Sequence, residues 1–159
     1  MKKSAPRGSK PPTREECLEM ARSCLSAGLR RTERLVTRHY DSYLAGAGVT
    51  AVQLPMLAMI GTAPEPSFRM LTETLELDRS TLSRNLALLQ RLGLVEIGAP
   101  SGPKPGLIQL TRKGATALRE GHVQWKRAHR DLMKLLDEKA VASGMKFLKT
   151  LRGSARPPS

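Results

Sequence analysis

A chain of 159 residues, 40% of them hydrophobic, is long enough for one domain with a real core and too short for two independent ones. Its 27 Lys and Arg against 14 Asp and Glu leave a formal charge of +13, which calls for a polyanionic partner, nucleic acid ahead of an anionic membrane surface. Aromatic residues at 3% disfavour the base-stacking platforms of single-strand binders, so duplex DNA fits better. There is no apolar run long enough to span a bilayer and no secretory leader in MKKSAPRGSKPP, so a cytoplasmic protein with no membrane partner is expected.

In chain order, residues 1–12 carry Lys2, Lys3, Arg7 and Lys10, three prolines and no acid, the composition of a disordered basic arm. Thr13 and Glu16 have capping-box spacing, so a helix starts there. Apolar residues then recur at helical intervals through Leu25, Leu29, Val36, Tyr40 and Leu44, and AGAG at 45–48 ends the segment. Cys17 and Cys24 are thereby placed on one helix, about two turns apart.

Thr50 caps a helix through AVQLPMLAMI, with Pro55 tolerable only near its first turn. Ser67 caps a short helix with Phe68, Leu71 and Leu75, and Asp78 or Ser80 caps the next, which buries Leu82, Leu86 and Leu89. Leu94, Val95 and Ile97 form one short strand and LIQL another, joined by the tip GAPSGPKPG. Thr111 starts a long helix with a seam of Leu118, His122, Trp125, His129, Leu132 and Leu136, a pattern that packs on another helix. A last helix begins near Glu138, and a polar tail follows from 153.

Two helices with a tight turn, then a hairpin, suit a winged helix-turn-helix, in which the second helix buries one face and offers the other to the major groove. The stretch Asp78 to Arg91 does both, with Leu82, Leu86 and Leu89 inward and Arg79, Ser80, Ser83, Arg84 and Arg91 elsewhere. Arginine donates two hydrogen bonds to a guanine edge, and hydroxyls near a helix start reach bases or phosphates. An isolated helix of this kind is more often an ordinary amphipathic one. The order of elements within a strongly basic chain favours the DNA reading.

LDRSTLSRNLALLQRLGLVEI followed by LIQLTRKG closely resembles the winged helix of the MarR family, and LRRTERLVTRHYDSYLAGAGVTAVQLPMLAMI resembles its first two helices. The resemblance covers about Cys24 to Asp137. It implies a mainly α, α+β winged helix and a homodimer that reads a pseudo-palindromic operator in double-stranded DNA. The expected segments are a basic arm (1–12), an N-terminal dimerisation helix (13–47), a DNA-binding lobe (48–112), C-terminal dimerisation helices (113–152) and a tail (153–159).

The DNA contacts that the resemblance implies are Ser80, Thr81, Ser83, Arg84 and Asn85, with Lys104 in the wing. Arg79 is added from its place on the exposed face. The wing GAPSGPKPG lacks the acidic residue and arginines of the family's D-x-R pattern, and a lysine fits a narrow minor groove less well than an arginine. Specificity therefore rests more heavily on the helix.

Relatives in this family respond to small aromatic compounds or to oxidants, so a repressor relieved by either is expected, with Cys17 and Cys24 the candidate redox sensors. The competing reading makes Cys24 a small buried hydrophobe at a dimer interface. His122 and His129 look like members of the packed seam rather than metal ligands, and His39 is isolated. Neither a metal nor a cofactor is expected. With no phosphate loop, nucleophile elbow or base for Ser101, no enzymatic activity is expected. A sequence-indifferent nucleic-acid-coating or RNA-associated protein is the alternative from another class.

Overall fold

The computed structural model describes residues 10–63, 66–99 and 106–155. The chain divides into Met1–Val36 and Thr37–Ser159, taken here in turn.

In the first unit, α1 (Arg14–Ser23) starts from the expected capping box. The Thr13 hydroxyl accepts from the Glu16 amide at 3.2 Å, and the Glu16 carboxylate accepts from the Thr13 amide at 2.6 Å. The Thr13 amide, and after it the Thr13 hydroxyl, hold the Glu16 carboxyl below its ordinary value. The helix then breaks. Cys24 is extended (φ −68°, ψ 105°), and α2 (Leu25–Leu44) starts immediately after it. Cys17 and Cys24 therefore do not share one continuous helix, and the uninterrupted helix expected over 13–47 is two. The Ser23 hydroxyl, bonded back to the Glu19 carbonyl, supplies a local reason, since such back-bonding bends helices.

In the second unit, the end of α2 is tied to a much later helix, α6 (Arg112–Lys134). His39 Nε2 donates to the Ala128 carbonyl at 2.9 Å, the Tyr40 hydroxyl pairs with His129 Nδ1 at 3.1 Å, and the Tyr43 hydroxyl donates to Asp131 at 2.9 Å. Because a carbonyl only accepts, the first bond places a proton on Nε2 of His39. His39, isolated in the sequence, is thus a structural strut.

A single 3-10 turn (Ala45–Ala47) closes α2, and Gly48 follows at φ 68°, a conformation glycine takes without a side-chain clash. Thr50 and Gln53 then exchange bonds, amide to Oε1 at 3.0 Å and amide to Oγ1 at 3.3 Å. This reciprocal cap leads into α3 (Gln53–Thr62), with Pro55 in its first turn.

Two shorter helices follow, α4 (Phe68–Leu75) and α5 (Arg79–Arg91), then the antiparallel pair β1 (Val95–Ile97) and β2 (Ile108–Leu110), with Val95 opposite Leu110 and Ile97 opposite Ile108. The chain then enters α6 and α7 (Glu138–Ser154). The last helix runs past residue 153, where the tail is expected to start, because the Ala155 amide still reaches the Leu151 carbonyl.

The core is aliphatic. Leu44, Leu57, Leu71, Leu82 and Leu89 are completely buried, and Met56, Ile60, Leu86, Leu94, Val95 and Ile108 nearly so. Among the described residues, no buried residue is polar or charged.

The core-facing stripe of α6 is small: Gly114, Ala117, Gly121 and Ala128 are its buried residues. Of the bulkier seam, Leu118 packs against the core and His129 meets Tyr40 of α2, while Trp125 is exposed, as is Leu136 beyond the helix. Small side chains let α6 lie close against α3 and the turn before it: a Cβ on Gly121 would sit 2.6 Å from Leu54 and 3.2 Å from Val49.

The start of α6 also closes off the end of α5. The Thr111 hydroxyl accepts from the Gly114 amide at 2.9 Å and donates to the Gly93 carbonyl at 2.7 Å, while Lys113 Nζ donates to the Leu92 carbonyl at 2.8 Å. A cation at the carboxyl end of α5 also complements the helix dipole. Thr111→Ala removes a cap and a bridging bond together. It is expected to cost about 1–2 kcal/mol, read as a lower urea midpoint at unchanged slope.

Candidate nucleic-acid interface

The site starts with how α5 is held. Ser67 caps α4 by accepting from the Met70 amide at 3.1 Å, and α4 ends on Glu76 in the left-handed region (φ 52°). That conformation, uncommon for a residue other than glycine, turns the chain within Glu76 and Leu77. Asp78 can then cap α5 at once.

Leu82, Leu86 and Leu89, spaced by four and three, are all at most 1% exposed and fix the rotation of α5 about its axis. Burying each leucine is worth about 1.5–3 kcal/mol. With that face committed, Arg79, Ser80, Ser83, Arg84 and Arg91 are exposed, and Thr81 and Asn85 are half-buried.

Bonds among these side chains sort them further. The Asp78 carboxylate accepts from the Ser80 hydroxyl at 2.6 Å, the Thr81 amide at 2.8 Å and the Thr81 hydroxyl at 2.7 Å. The Thr81 oxygen in turn accepts from Arg84 Nη2 at 3.2 Å, and Asn85 Nδ2 donates to the Thr81 carbonyl at 3.0 Å. Arg79 lies with its guanidinium 5.5 Å from the centre of the Phe68 ring, a cation–π contact that draws it towards α4. Ser80, Ser83 and Arg84 are thus the outward groups, with Thr81 and Asn85 bracing them from the side. Lys104, the expected wing contact, lies outside the described residues.

The hydroxyls of Ser80 and Thr81, with the Thr81 amide, hold the Asp78 carboxyl well below its ordinary value of 3.8. A group whose folded pKa is lowered contributes stability that is fully present above its ordinary value. That stability is lost only as the pH falls through the lower folded value. The cap of α5 is therefore expected to be intact at pH 5 and to weaken only below pH 3.8. A carboxyl-carbon NMR titration of Asp78 with its midpoint at or above that pH contradicts this.

The root of the wing is fixed by close backbone approach. The Gly98 amide donates to the Leu107 carbonyl at 2.9 Å, and a Cβ on Gly106 would fall 1.9 Å from the Gly98 carbonyl oxygen. Only glycine fits at 106.

Other candidates from the sequence separate cleanly. Cys17 and Cys24 are both free thiols and both exposed, so burial of Cys24 as a small hydrophobe does not hold in the single chain. His122 and His129 stack on the two sides of Trp125, with ring centres 6.1 and 5.2 Å away. Among the described residues, no three His, Cys, Asp or Glu side chains could hold a metal ion. Among the same residues, no helix is long and apolar enough to cross a membrane.

Sequence reasoning assigned Asp78 a capping role only and missed its grip on two hydroxyls. The acid three residues before a threonine in LDRST was the available signal. The Thr111 and Lys113 clamp on α5 had its signal in TRKG. The left-handed Glu76 had none.

A MarR family model matches residues 47–104, which span the 3-10 turn to the wing tip. Among solved structures, the Mycobacterium tuberculosis transcriptional regulator MosR in complex with DNA is 27% identical, with a TM-score of 0.73 over 85% of this chain and 100% of that one. A cysteine-to-serine mutant of Escherichia coli MarR complexed with operator DNA is 27% identical, with a TM-score of 0.73 over 84% and 97%. Wild-type E. coli MarR in its apo form is 27% identical, with a TM-score of 0.61 over 80% and 96%. A comparison with curated protein sequences gives no significant match. Family model, element order and solved relatives agree: residues 47–104 match the MarR family model, and the fold is that of the MarR-type winged helix.

Proposed function

We propose that the protein is a homodimeric repressor that reads a pseudo-palindromic operator in duplex DNA, with α5 in the major groove. The observation that carries this is the division of α5 into a buried leucine face and an outward face of Ser80, Ser83 and Arg84, organised from Asp78. Ser80, Thr81, Ser83, Arg84 and Asn85 are its contact set, with Arg79 beside them and Lys104 in the wing. MosR and E. coli MarR, each 27% identical, have both been solved on DNA.

Dimerisation through the last helices is supported by what the single chain leaves bare. No residue of α7 is buried, and its Met145, Phe147 and Leu148 are 59%, 49% and 39% exposed. Selection of bound sites from random duplexes tests the whole reading. The expected result is a two-fold pattern with half-sites about one helical turn apart. Binding without sequence preference supports the coating protein instead.

Relief of repression is assigned to a small aromatic anion or to oxidation. The first is supported by a shallow groove of about 520 Å³ along α6, where Trp125 and Met133 lie beside His129, Arg130, Lys126 and Lys134. An indole edge and a thioether beside cations suit an aromatic carboxylate. The second is supported by the exposure of Cys17 and Cys24. Operator titrations with added benzoate and with added peroxide separate the two, and an affinity unchanged by both removes this part of the proposal.

A further inference from the structure

We propose that Asp78 sets the hydrogen-bonding polarity of the reading face. By taking the hydroxyl protons of Ser80 and Thr81, it leaves both oxygens as acceptors, so Ser80 at this end of α5 reads bases that present an amino group in the major groove. The inference rests on the reading of α5 as the major-groove helix.

The argument is one of proton counting. A hydroxyl has one proton to donate, and an ionised carboxylate only accepts. Ser80 Oγ lies 2.6 Å from Oδ1 of Asp78 and Thr81 Oγ1 lies 2.7 Å from Oδ2, so each hydroxyl proton is already committed. The lowered pKa of Asp78 keeps the carboxylate ionised throughout the physiological range. Sending either proton to DNA would give up a charge-assisted hydrogen bond, among the stronger kinds in a protein.

Two consequences follow for recognition. Phosphate oxygens are acceptors, so an acceptor-only hydroxyl gains nothing from them. In the major groove the donors are the amino groups of adenine and cytosine, whereas guanine and thymine present carbonyl oxygens. Ser80, exposed at the start of α5, therefore favours adenine or cytosine on the strand it faces. Thr81 spends one further acceptor site on Arg84, which aims the guanidinium rather than adding a second reading of the same kind. Asp78 is a positioning residue. It acts through the two hydroxyls.

The test selects bound duplexes for the wild type, Ser80→Ala and Asp78→Gly. Glycine is tolerated at a helix start, and its lack of a side chain releases the Ser80 hydroxyl proton. At the operator position whose preference Ser80→Ala relaxes, the wild type is expected to favour adenine or cytosine over guanine or thymine by about three- to ten-fold. Asp78→Gly is expected to move that preference towards guanine or thymine, with a lower melting temperature and the fold retained.

The inference is overturned if the wild type favours guanine or thymine there, if Ser80→Ala weakens all sequences equally or none, or if Asp78→Gly leaves the preference in place. Should Asp78→Gly fail to fold, the wild-type and Ser80→Ala arms still decide. A wild type that selects no sequence at all defeats the operator reading, and this inference with it. That result is distinct from a selective wild type with the wrong base.

Discussion

Replacing Gly114 by alanine is expected to destabilise the protein by about 3 kcal/mol or more. An added Cβ would stand 1.9 Å from the Leu94 carbonyl oxygen, 2.9 Å from its carbon and 3.3 Å from the Leu94 Cα. All three are backbone atoms, so no side chain can rotate away. The same carbonyl already accepts from the Thr111 amide at 3.1 Å, and Leu94 leads straight into β1. Relief of the clash must therefore lift α6, shift the wing or break the bond that joins them. Gly28 is the internal control. It sits inside α2 with nothing within 4 Å of an added Cβ, and Gly28→Ala is expected to stabilise by about 0.5–1 kcal/mol. Urea titrations of the two variants should move in opposite directions. Equal behaviour would mean that the contact with Leu94 is not what confines position 114 to glycine.

Arg84→Ala is expected to cost about 1–3 kcal/mol in operator binding while leaving the fold intact. The side chain is exposed, and its Nη2 donates to the Thr81 oxygen at 3.2 Å. The leucines that hold α5 in place are untouched by its removal. The loss should fall on the preferred operator and spare other sequences, since a base contact carries sequence information and a phosphate contact does not. Arg84→Lys should recover little of it, because lysine keeps the charge and loses the planar fork that pairs with guanine. Uniform weakening across unrelated duplexes, with a shallower salt dependence, would assign Arg84 to the phosphate backbone.

Much of this was legible in the residues because helix starts and short strands are written locally. Thr13 with Glu16, Ser67, Asp78 and Thr111 all cap the helices their spacing assigns to them. The leucine face of α5 and the pairing of β1 with β2 also lie where their periodicities put them. What escaped depends on partners far away in sequence, or on size rather than polarity. His39 acquires its meaning only from Ala128, 89 residues on. The inner face of α6 is built from glycine and alanine, so a search for bulky apolar residues does not find it. The break at Cys24 carries no glycine or proline to mark it. At the candidate site the residue types were readable, whereas the division into outward readers and bracing side chains needed the hydrogen bonds around Asp78.

The clamp between α5 and the start of α6 has a mechanical consequence. Carbonyls of Leu92, Gly93 and Leu94, just beyond the last turn of α5, are all gripped by Thr111 and Lys113, and from there α6 runs 23 residues. At about 1.5 Å of rise per residue, a tilt applied at the Trp125 and His129 end of that rod works through a long arm on a short, stiff joint. The glycine within the joint, Gly93, is itself held by the Thr111 hydroxyl. A movement passed through that joint would turn α5 about its carboxyl end and displace its Asp78 end the most, where the proposed contacts lie.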